Sequence, residues 1–358
     1  MTARVFSTSR HSSETWPSDT LLRSDSRQHR ELLQRLVYVA QFDRATILLE
    51  GESGTGKSAL AHQIHLLSPR SGGPFVEVNV AAIDDALVSS ELFGHLPGAF
   101  TGASSTRRGL VASALGGTLF LDEIGKASRA VQHRLLTLLE RRVIRAVGSD
   151  REAPVNVRLV AATNVPVSEL VEQGVLLSDL APRLTTHRFR LTPLRDRPQD
   201  VPSIARACVL RHYRAYGYQG EPPELDAALV AAMCLAAWPD NIRGLDNAVQ
   251  QLLVAAEGRP HIGLGDCATE DLRFLPLQSI SGAREDLTPD DVEKLVEMAG
   301  SISGAARISG RARSTIQRQL DKKDSLMRAR RLSLEGDVAR QQDSASTPVA
   351  RQAVTGDR

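Results

Sequence analysis

The segment Gly51-Glu52-Ser53-Gly54-Thr55-Gly56-Lys57-Ser58 fits the pattern G-x-x-x-x-G-K-[ST], and no other part of the chain restricts its folding as much. The apolar run at 45–49 reads as a buried strand leading into it, and 59–67 as the helix leaving it. Gly51, Gly54 and Gly56 let the backbone turn its N–H groups inward around phosphate oxygens, where the helix N-terminus adds partial positive charge. In such a loop Lys57 reaches the β- and γ-phosphates and Ser58 ligates Mg²⁺. A glycine-rich turn that fits by chance is the competing reading, and the motifs further along weigh against it.

The 358 residues are enough for two or three domains, and 42% hydrophobic with 24% charged residues is ordinary for a soluble globular chain. The longest apolar stretch, 229–238, is far short of the ~20 residues that cross a bilayer. The N-terminal segment has no apolar core of the signal-peptide kind, so a cytoplasmic protein without membrane contact is expected. Cys208, Cys234 and Cys267 show neither metal-ligand nor disulfide spacing and read as reduced, partly buried fillers. A net charge of +2 says little, but 311–331 holds eight Lys/Arg against Asp321 and Asp324. A basic block at one end suggests nucleic acid, with a solvated tail as the alternative.

Residues 1–22, rich in Ser, Thr and Arg, predict a flexible arm. Apolar residues at Leu32, Leu33, Leu36 and Val37 predict an amphipathic helix over 28–40. Short apolar runs at 45–49, 75–80, 118–121 and 157–161 then alternate with helical patterns. That alternation predicts an α/β fold with a parallel sheet, helices on both faces and ligands at the strands' carboxyl ends, over 23–194. The chain turns all-helical over 195–260, with helices at 201–216, 224–238 and 241–256. A linker at 261–285 follows, then a last helical unit at 286–324 opened by Thr288-Pro289, and a polar tail at 325–358 that reads as disordered.

Thr118 to Glu123 is an apolar strand ending in two acids, about 65 residues after the phosphate loop. There Asp122 would help hold Mg²⁺ and Glu123 would polarise an attacking water. The strand at 157–164 ends in Thr163 and Asn164, which would face the γ-phosphate or that water, although a Thr-Asn pair is also ordinary turn chemistry. His62 and His65, at i, i+3, lack a third ligand of suitable spacing and read as helix-surface histidines.

The hexapeptide Gly98-Ala99-Phe100-Thr101-Gly102-Ala103, preceded by Ser90-Glu91-Leu92-Phe93-Gly94-His95, is the most specific feature. With it, residues 22–258 resemble the AAA+ ATPases that activate sigma-54 RNA polymerase, the bacterial enhancer-binding proteins. The resemblance implies ATP and Mg²⁺ as cofactors, 195–260 as a helical lid, and the hexapeptide as the loop contacting sigma-54. It implies that Asn79 couples Glu123 to nucleotide state, that Thr163 and Asn164 form a first sensor, and that Arg243 in Trp238-Pro239-Asp240-Asn241-Ile242-Arg243 is a second. Arg183 matches one of two arginines that reach a neighbouring subunit's ATP. The other falls at Leu177, which carries no charge. Ser58 replaces the family's usual acid, and Ala181-Pro182 replace residues usually aromatic or polar, with Pro182 placed to interrupt a helix before Arg183.

Residues 301–320 look like the Fis-type helix-turn-helix that ends these activators, with Gly310 at its turn. Arg311, Arg313, Ser314, Thr315 and Arg318 are then the DNA-facing residues, on a two-fold upstream site of double-stranded DNA. Ser309 and Arg311 replace residues usually apolar. A small helical oligomerisation bundle is the alternative.

The expected protein is a hexameric, DNA-bound, ATP-hydrolysing activator that remodels the sigma-54 RNA polymerase closed complex, under control of a regulatory protein in trans or of expression level. Three alternatives stand beside it. One is an ATP- and DNA-binding regulator that does not remodel. Another is a mixed ring in which a paralogue supplies the arginine missing at Leu177. The third is a nucleic-acid motor, for which no strand channel is evident.

Overall fold

The computed structural model describes residues 3–6, 22–101 and 103–263, and beyond them 292–293, 296, 302, 306, 313–322 and 325. The chain divides into two compact units, Met1–Pro276 and Leu277–Arg358. In the first, β1 (Ala3–Phe6) is followed by α1 (Arg27–Ala40), β2 (Ile47–Glu50), α2 (Lys57–Leu66), β3 (Phe75–Asn79), α3 (Asp85–Phe93), α4 (Leu110–Ser113), β4 (Thr118–Asp122) and α5 (Arg129–Arg141). A short hairpin of β5 (Val143–Ile144) and β6 (Ala153–Pro154) precedes β7 (Arg158–Thr163), α6 (Val167–Glu172), α7 (Leu180–Leu184) and β8 (His187–Arg190). Helices α8 (Val201–Ala215), α9 (Ala227–Leu235) and α10 (Asn241–Ala255) complete the unit, with β9 (Glu224–Leu225) paired to β10 (His261–Ile262).

The main sheet has the order β1-β3-β4-β7-β2-β8. Five of its strands are parallel, and β1 joins the edge antiparallel to β3, with Ala3 opposite Val78 and Phe6 opposite Phe75. The predicted arm thus contains a strand at 3–6, and 7–21 lie outside the described residues. Strand alternation sends successive apolar side chains to opposite faces. Ile47, Leu49, Phe120, Val160 and Ala162 pack against Leu33 and Leu36 of α1 and Leu60 and Ile64 of α2. Leu48, Leu119, Leu121 and Ala161 pack against Val88 and Leu92 of α3, Val131, Leu135 and Leu138 of α5, and Leu180 and Leu184 of α7. Both faces of the sheet are therefore covered. The expected helix at 224–238 is shorter, because Glu224–Leu225 pairs with His261–Ile262 before α9 begins.

One buried cation ties the sheet to α1. Arg158, fully buried, donates to the Ala40, Val39 and Ala45 carbonyls at 2.7, 3.3 and 3.3 Å, satisfying acceptors at the C-terminal end of α1. Burial pulls its pKa down to about 10, which leaves it charged at neutral pH.

His65 is buried rather than on the helix surface, its Nδ1 lying 3.0 Å from the Thr118 hydroxyl of the sheet. A helix lying in the core buries polar positions as well as apolar ones, and α2 also buries Lys57 and Gln63. Burial, then the nearby His62, lowers the His65 pKa to about 4. Burial, then Arg197, lowers that of His29 to about 4 against the opposing pull of Asp200. Both folded values lie below the free value of 6.5, so on acidification the unfolded chain takes up protons first. The stability is complete above the free pKa and is lost as pH falls through the window down to about 4, by up to ~3 kcal/mol per histidine. The melting temperature is expected to drop from about pH 7 to about pH 5, with a flatter slope in His65→Gln; an unchanged melting temperature across that range refutes it.

In the second unit, 313–322 are helical. Ile316 is buried, Arg313, Ser314 and Arg318 are exposed, and Thr315 is half-buried. Arg311, Gly310 and most of the expected helix-turn-helix lie outside the described residues.

Candidate nucleotide site and loop platform

The phosphate loop follows β2 at the carboxyl end of the sheet. Gly51 N–H donates to the Thr163 carbonyl at 3.2 Å, and the Thr55 hydroxyl donates to the Glu52 carbonyl at 2.8 Å. Gly54 and Gly56 have φ of +76° and +98°, the left-handed region where a Cβ is strained. The turn aims the N-terminus of α2 into the loop, beginning at Lys57. The Lys57 ammonium is buried and donates to the Gly51 and Glu52 carbonyls at 2.7 and 2.9 Å. Burial lowers its pKa, while Asp122 and Glu123 pull the other way.

Ser58 donates to Asp122 Oδ2 at 3.3 Å, so the two oxygens expected on the metal meet at the start of α2. The other Asp122 oxygen accepts the Glu123 N–H at 2.9 Å. Glu123 has φ +55°, a conformation a non-glycine residue rarely holds, just past the end of β4. Asn79 lies opposite Asp122 in register, and its side-chain oxygen caps the next turn by accepting Ala81 N–H at 2.9 Å. The buried Thr163 hydroxyl closes a turn on Val165, donating to the carbonyl at 2.8 Å and accepting the N–H at 3.1 Å. Asn164, the next residue, is exposed at the rim.

The helical segment closes over this loop through contacts that motif reading missed. Asn241, fully buried with φ +52°, accepts from Leu194 N–H at 2.8 Å and donates to the Ser53 carbonyl and Glu52 Oε2 at 2.9 and 3.3 Å. Arg195 grips Glu52 with both terminal nitrogens at 2.7 and 2.6 Å, a bidentate pair that holds the Glu52 pKa at about 2. The backbones nearly touch here: a Cβ on Gly54 would lie 2.0 Å from the Asp240 carbonyl oxygen. Arg243 N–H points at the Gly54 carbonyl at 3.4 Å, with its guanidinium 3.4 Å from Ser53 Oγ, so this arginine sits against the loop. The available signal was an asparagine after a Pro-Asp turn, a residue that tolerates positive φ.

Behind the loop, Thr55, Gly56, Leu191 and Ile242 line a small cavity of about 20 Å³ with His29 and Arg197. His29 Nδ1 and Arg197 Nε and Nη2 are buried there without hydrogen-bond partners. Unpaired buried polar atoms beside a phosphate loop suit a polar ligand. At that volume there is room for about one water.

The hexapeptide is folded on itself, with Gly98 N–H to the Ala103 carbonyl at 2.8 Å and Ala103 N–H to the Phe100 carbonyl at 3.0 Å. Gly102 lies outside the described residues. Phe100 is 37% exposed and rests edge-on against the buried His95 ring at 5.0 Å. His95 is fixed by Ser90 at 2.7 Å, and Leu96 N–H and Val147 N–H bond to Val147 and Gly94 carbonyls at 3.0 and 2.8 Å. The loop therefore stands on the β5–β6 hairpin.

Arg183 is exposed on α7 and pairs with Glu140 of α5 at 3.1 Å. The expected interruption at Pro182 does not occur, because α7 begins at Leu180 and Pro182 occupies its first turn, where an N–H has no helical partner to lose. Leu177 packs against the core, and its N–H donates to Gln132 Oε1 at 2.8 Å. Among the described residues no group of three or more His, Cys, Asp or Glu side chains converges for a metal, and no helix is long and apolar enough to cross a membrane.

Comparison with known proteins agrees with this geometry. Residues 22–190 match the family described as Sigma-54 interaction domain, and 195–268 match the AAA+ ATPase lid domain. The chain is 41% identical over 270 residues to the Sigma54-dependent transcriptional activator SfnR of Pseudomonas putida, covering 75% of this chain and 71% of that protein. It is 39% identical over 315 residues to the transcriptional regulatory protein ZraR of Klebsiella oxytoca, covering 83% and 68%. HyfR of Escherichia coli (strain K12) is 43% identical over 231 residues, but only 34% of its length is spanned. The crystal structure of NtrX from Brucella abortus in complex with ADP aligns with TM-score 0.65 and 25% identity, over 85% of this chain and 70% of that one. The phosphate loop, the acid pair and the supported hexapeptide, with these matches, place the chain in the family of sigma-54-dependent transcriptional activators with an AAA+ ATPase domain.

Proposed function

We propose that this chain assembles through dimers into a hexameric ring, binds double-stranded DNA upstream of a promoter through its C-terminal unit, and uses ATP hydrolysis to move the hexapeptide against sigma-54 RNA polymerase. The observation that carries the reading is the pairing of an intact hexapeptide, with Phe100 presented at its surface, with a phosphate loop and acid pair at the sheet's carboxyl end. The hard oxygens of Ser58 and Asp122, adjacent in the fold, would hold Mg²⁺, which would supply charge neutralisation for the transferring phosphoryl group. Glu123 orients and deprotonates the attacking water, Lys57 and the loop N–H groups hold the β- and γ-phosphates, and Thr163 with Asn164 senses the γ-phosphate. Asn79 reports phosphate loss along β3, and Arg243 with Asn241 carries it to the lid. His29 and Arg197 meet the base. Arg183 leaves Glu140 and reaches the neighbouring subunit's ATP.

Open-complex formation on a sigma-54 promoter, followed with wild type and Thr101→Ala, tests the reading. Wild type is expected to open the promoter, and Thr101→Ala to lose opening while ATP turnover stays within about threefold. A wild type that binds its DNA and hydrolyses ATP yet opens no promoter overturns the proposal in favour of a non-remodelling regulator. A specific observation supports a second reading, a mixed ring with a paralogue: Leu177 faces the core and offers nothing to a neighbour's phosphates.

A further inference from the structure

We infer that Arg129 is a second arginine presented by each subunit to its neighbour's ATP, standing in for the charge that Leu177 lacks. The inference rests on the reading that Arg183 acts across a subunit boundary.

The loop at 173–177 is held rigidly. Val175 and Leu176 N–H groups both bond the Leu170 carbonyl, at 2.8 and 2.9 Å. Gln132, buried in α5, donates to the Val175 and Ala127 carbonyls at 2.9 and 2.8 Å while its oxygen accepts from Leu177 N–H. With its amide fixed and its half-buried side chain packed against the core, Leu177 is held inward. Arg129 lies one helical turn before Gln132, and its Nη2 donates to the Gly174 carbonyl of the same loop. It is exposed and forms no ion pair among the described residues. A guanidinium has five N–H donors, so one bond to a backbone carbonyl leaves most of the fork free.

The two arginines share a face. Residues 129, 133, 136 and 140 follow i, i+4, i+7, i+11 spacing and form one stripe of α5. Arg129 opens that stripe, and Glu140, which holds Arg183, is near its end. Positions 129 and 140 lie about 16 Å apart along this face, so a neighbour docked on the stripe would have to span both to meet Arg129 and Arg183. Hydrolysis breaks the bond between the γ-phosphorus and the bridging oxygen as water adds, and the leaving ADP takes up the negative charge. Arg129 donates hydrogen bonds to those oxygens and exchanges no proton.

Full-length Arg129→Ala, Arg129→Lys and Arg183→Ala proteins, assayed for ATP turnover across a concentration series, test this. Equilibrium binding of a fluorescent ATP analogue and ring size by light scattering are measured alongside. Arg129→Ala is expected to lower kcat by about 10²-fold with affinity, ring size and melting temperature unchanged, and lysine to restore part of it. Mixing Arg129→Ala with Lys57→Ala subunits is expected to give more turnover than either alone. There an intact Arg129 on one subunit faces an intact phosphate loop on the next. Wild-type turnover in Arg129→Ala beside a loss in Arg183→Ala overturns the inference and leaves the parent reading standing. Full turnover in both removes the parent reading. No gain on mixing, or loss of the ring in place of kcat, also overturns the role assigned to Arg129.

Discussion

Glu123→Gln is expected to keep ATP binding and to lower turnover by about 10²–10⁴-fold, the usual contribution of a positioned general base. Glutamine has the same shape, and the backbone at φ +55° with its N–H on Asp122 is undisturbed, so the change removes a proton acceptor and little else. Binding is expected to hold or tighten slightly, because one negative charge leaves the surroundings of Lys57 and of an anionic substrate. Steady-state turnover beside equilibrium nucleotide binding separates the two effects. Turnover within about fivefold of wild type would assign the water to another group.

The second large effect is expected at Gly54. Alanine at either Gly54 or Gly56 meets a left-handed backbone, with a cost of about 1–2 kcal/mol. The two sites differ in their surroundings. A Cβ at Gly56 would find only Ile242 Cδ1, at 3.6 Å, whereas one at Gly54 would collide with the Asp240 carbonyl oxygen at 2.0 Å and its carbon at 2.9 Å. Backbone does not rotate away as a side chain does. Gly54→Ala must push the lid off the phosphate loop, breaking the Asn241 bonds to Ser53 and Glu52. A loss above about 3 kcal/mol and weak nucleotide binding are expected for Gly54→Ala, against about 1–2 kcal/mol for Gly56→Ala. Denaturant unfolding of both variants gives the comparison, and equal losses would mean that the loop relaxes around the contact.

The contrast between these two glycines shows what a linear reading can reach. The pattern G-x-x-x-x-G-K-[ST] identifies both as loop residues, but only the folded chain brings Asp240 onto one of them. Strands β2, β3, β4 and β7 were legible because each is a nearly continuous buried apolar run. Strand β8, His187–Arg190, was not: at the sheet's edge only Phe189 is buried, and its polar neighbours read as loop. The same limit hid Asn241 and the Glu52–Arg195 pair, whose partners lie far apart in sequence and carry no periodic signal. Pro182 misled in the opposite sense, since its effect depends on where a helix starts, and boundaries are the least readable property of an element.

The strand at 3–6 has a practical consequence for anyone preparing this protein. A protein trimmed at residue 22, where the family match begins, would lose the partner of Phe75–Val78 and bare that row of N–H and C=O groups to solvent. An uncovered sheet edge is a template for pairing with other chains, so such a preparation invites sticky, non-native association. Particle sizes measured on it would confuse ring assembly with edge-to-edge clumping. The few residues ahead of the match are therefore worth keeping in any sample used to count subunits.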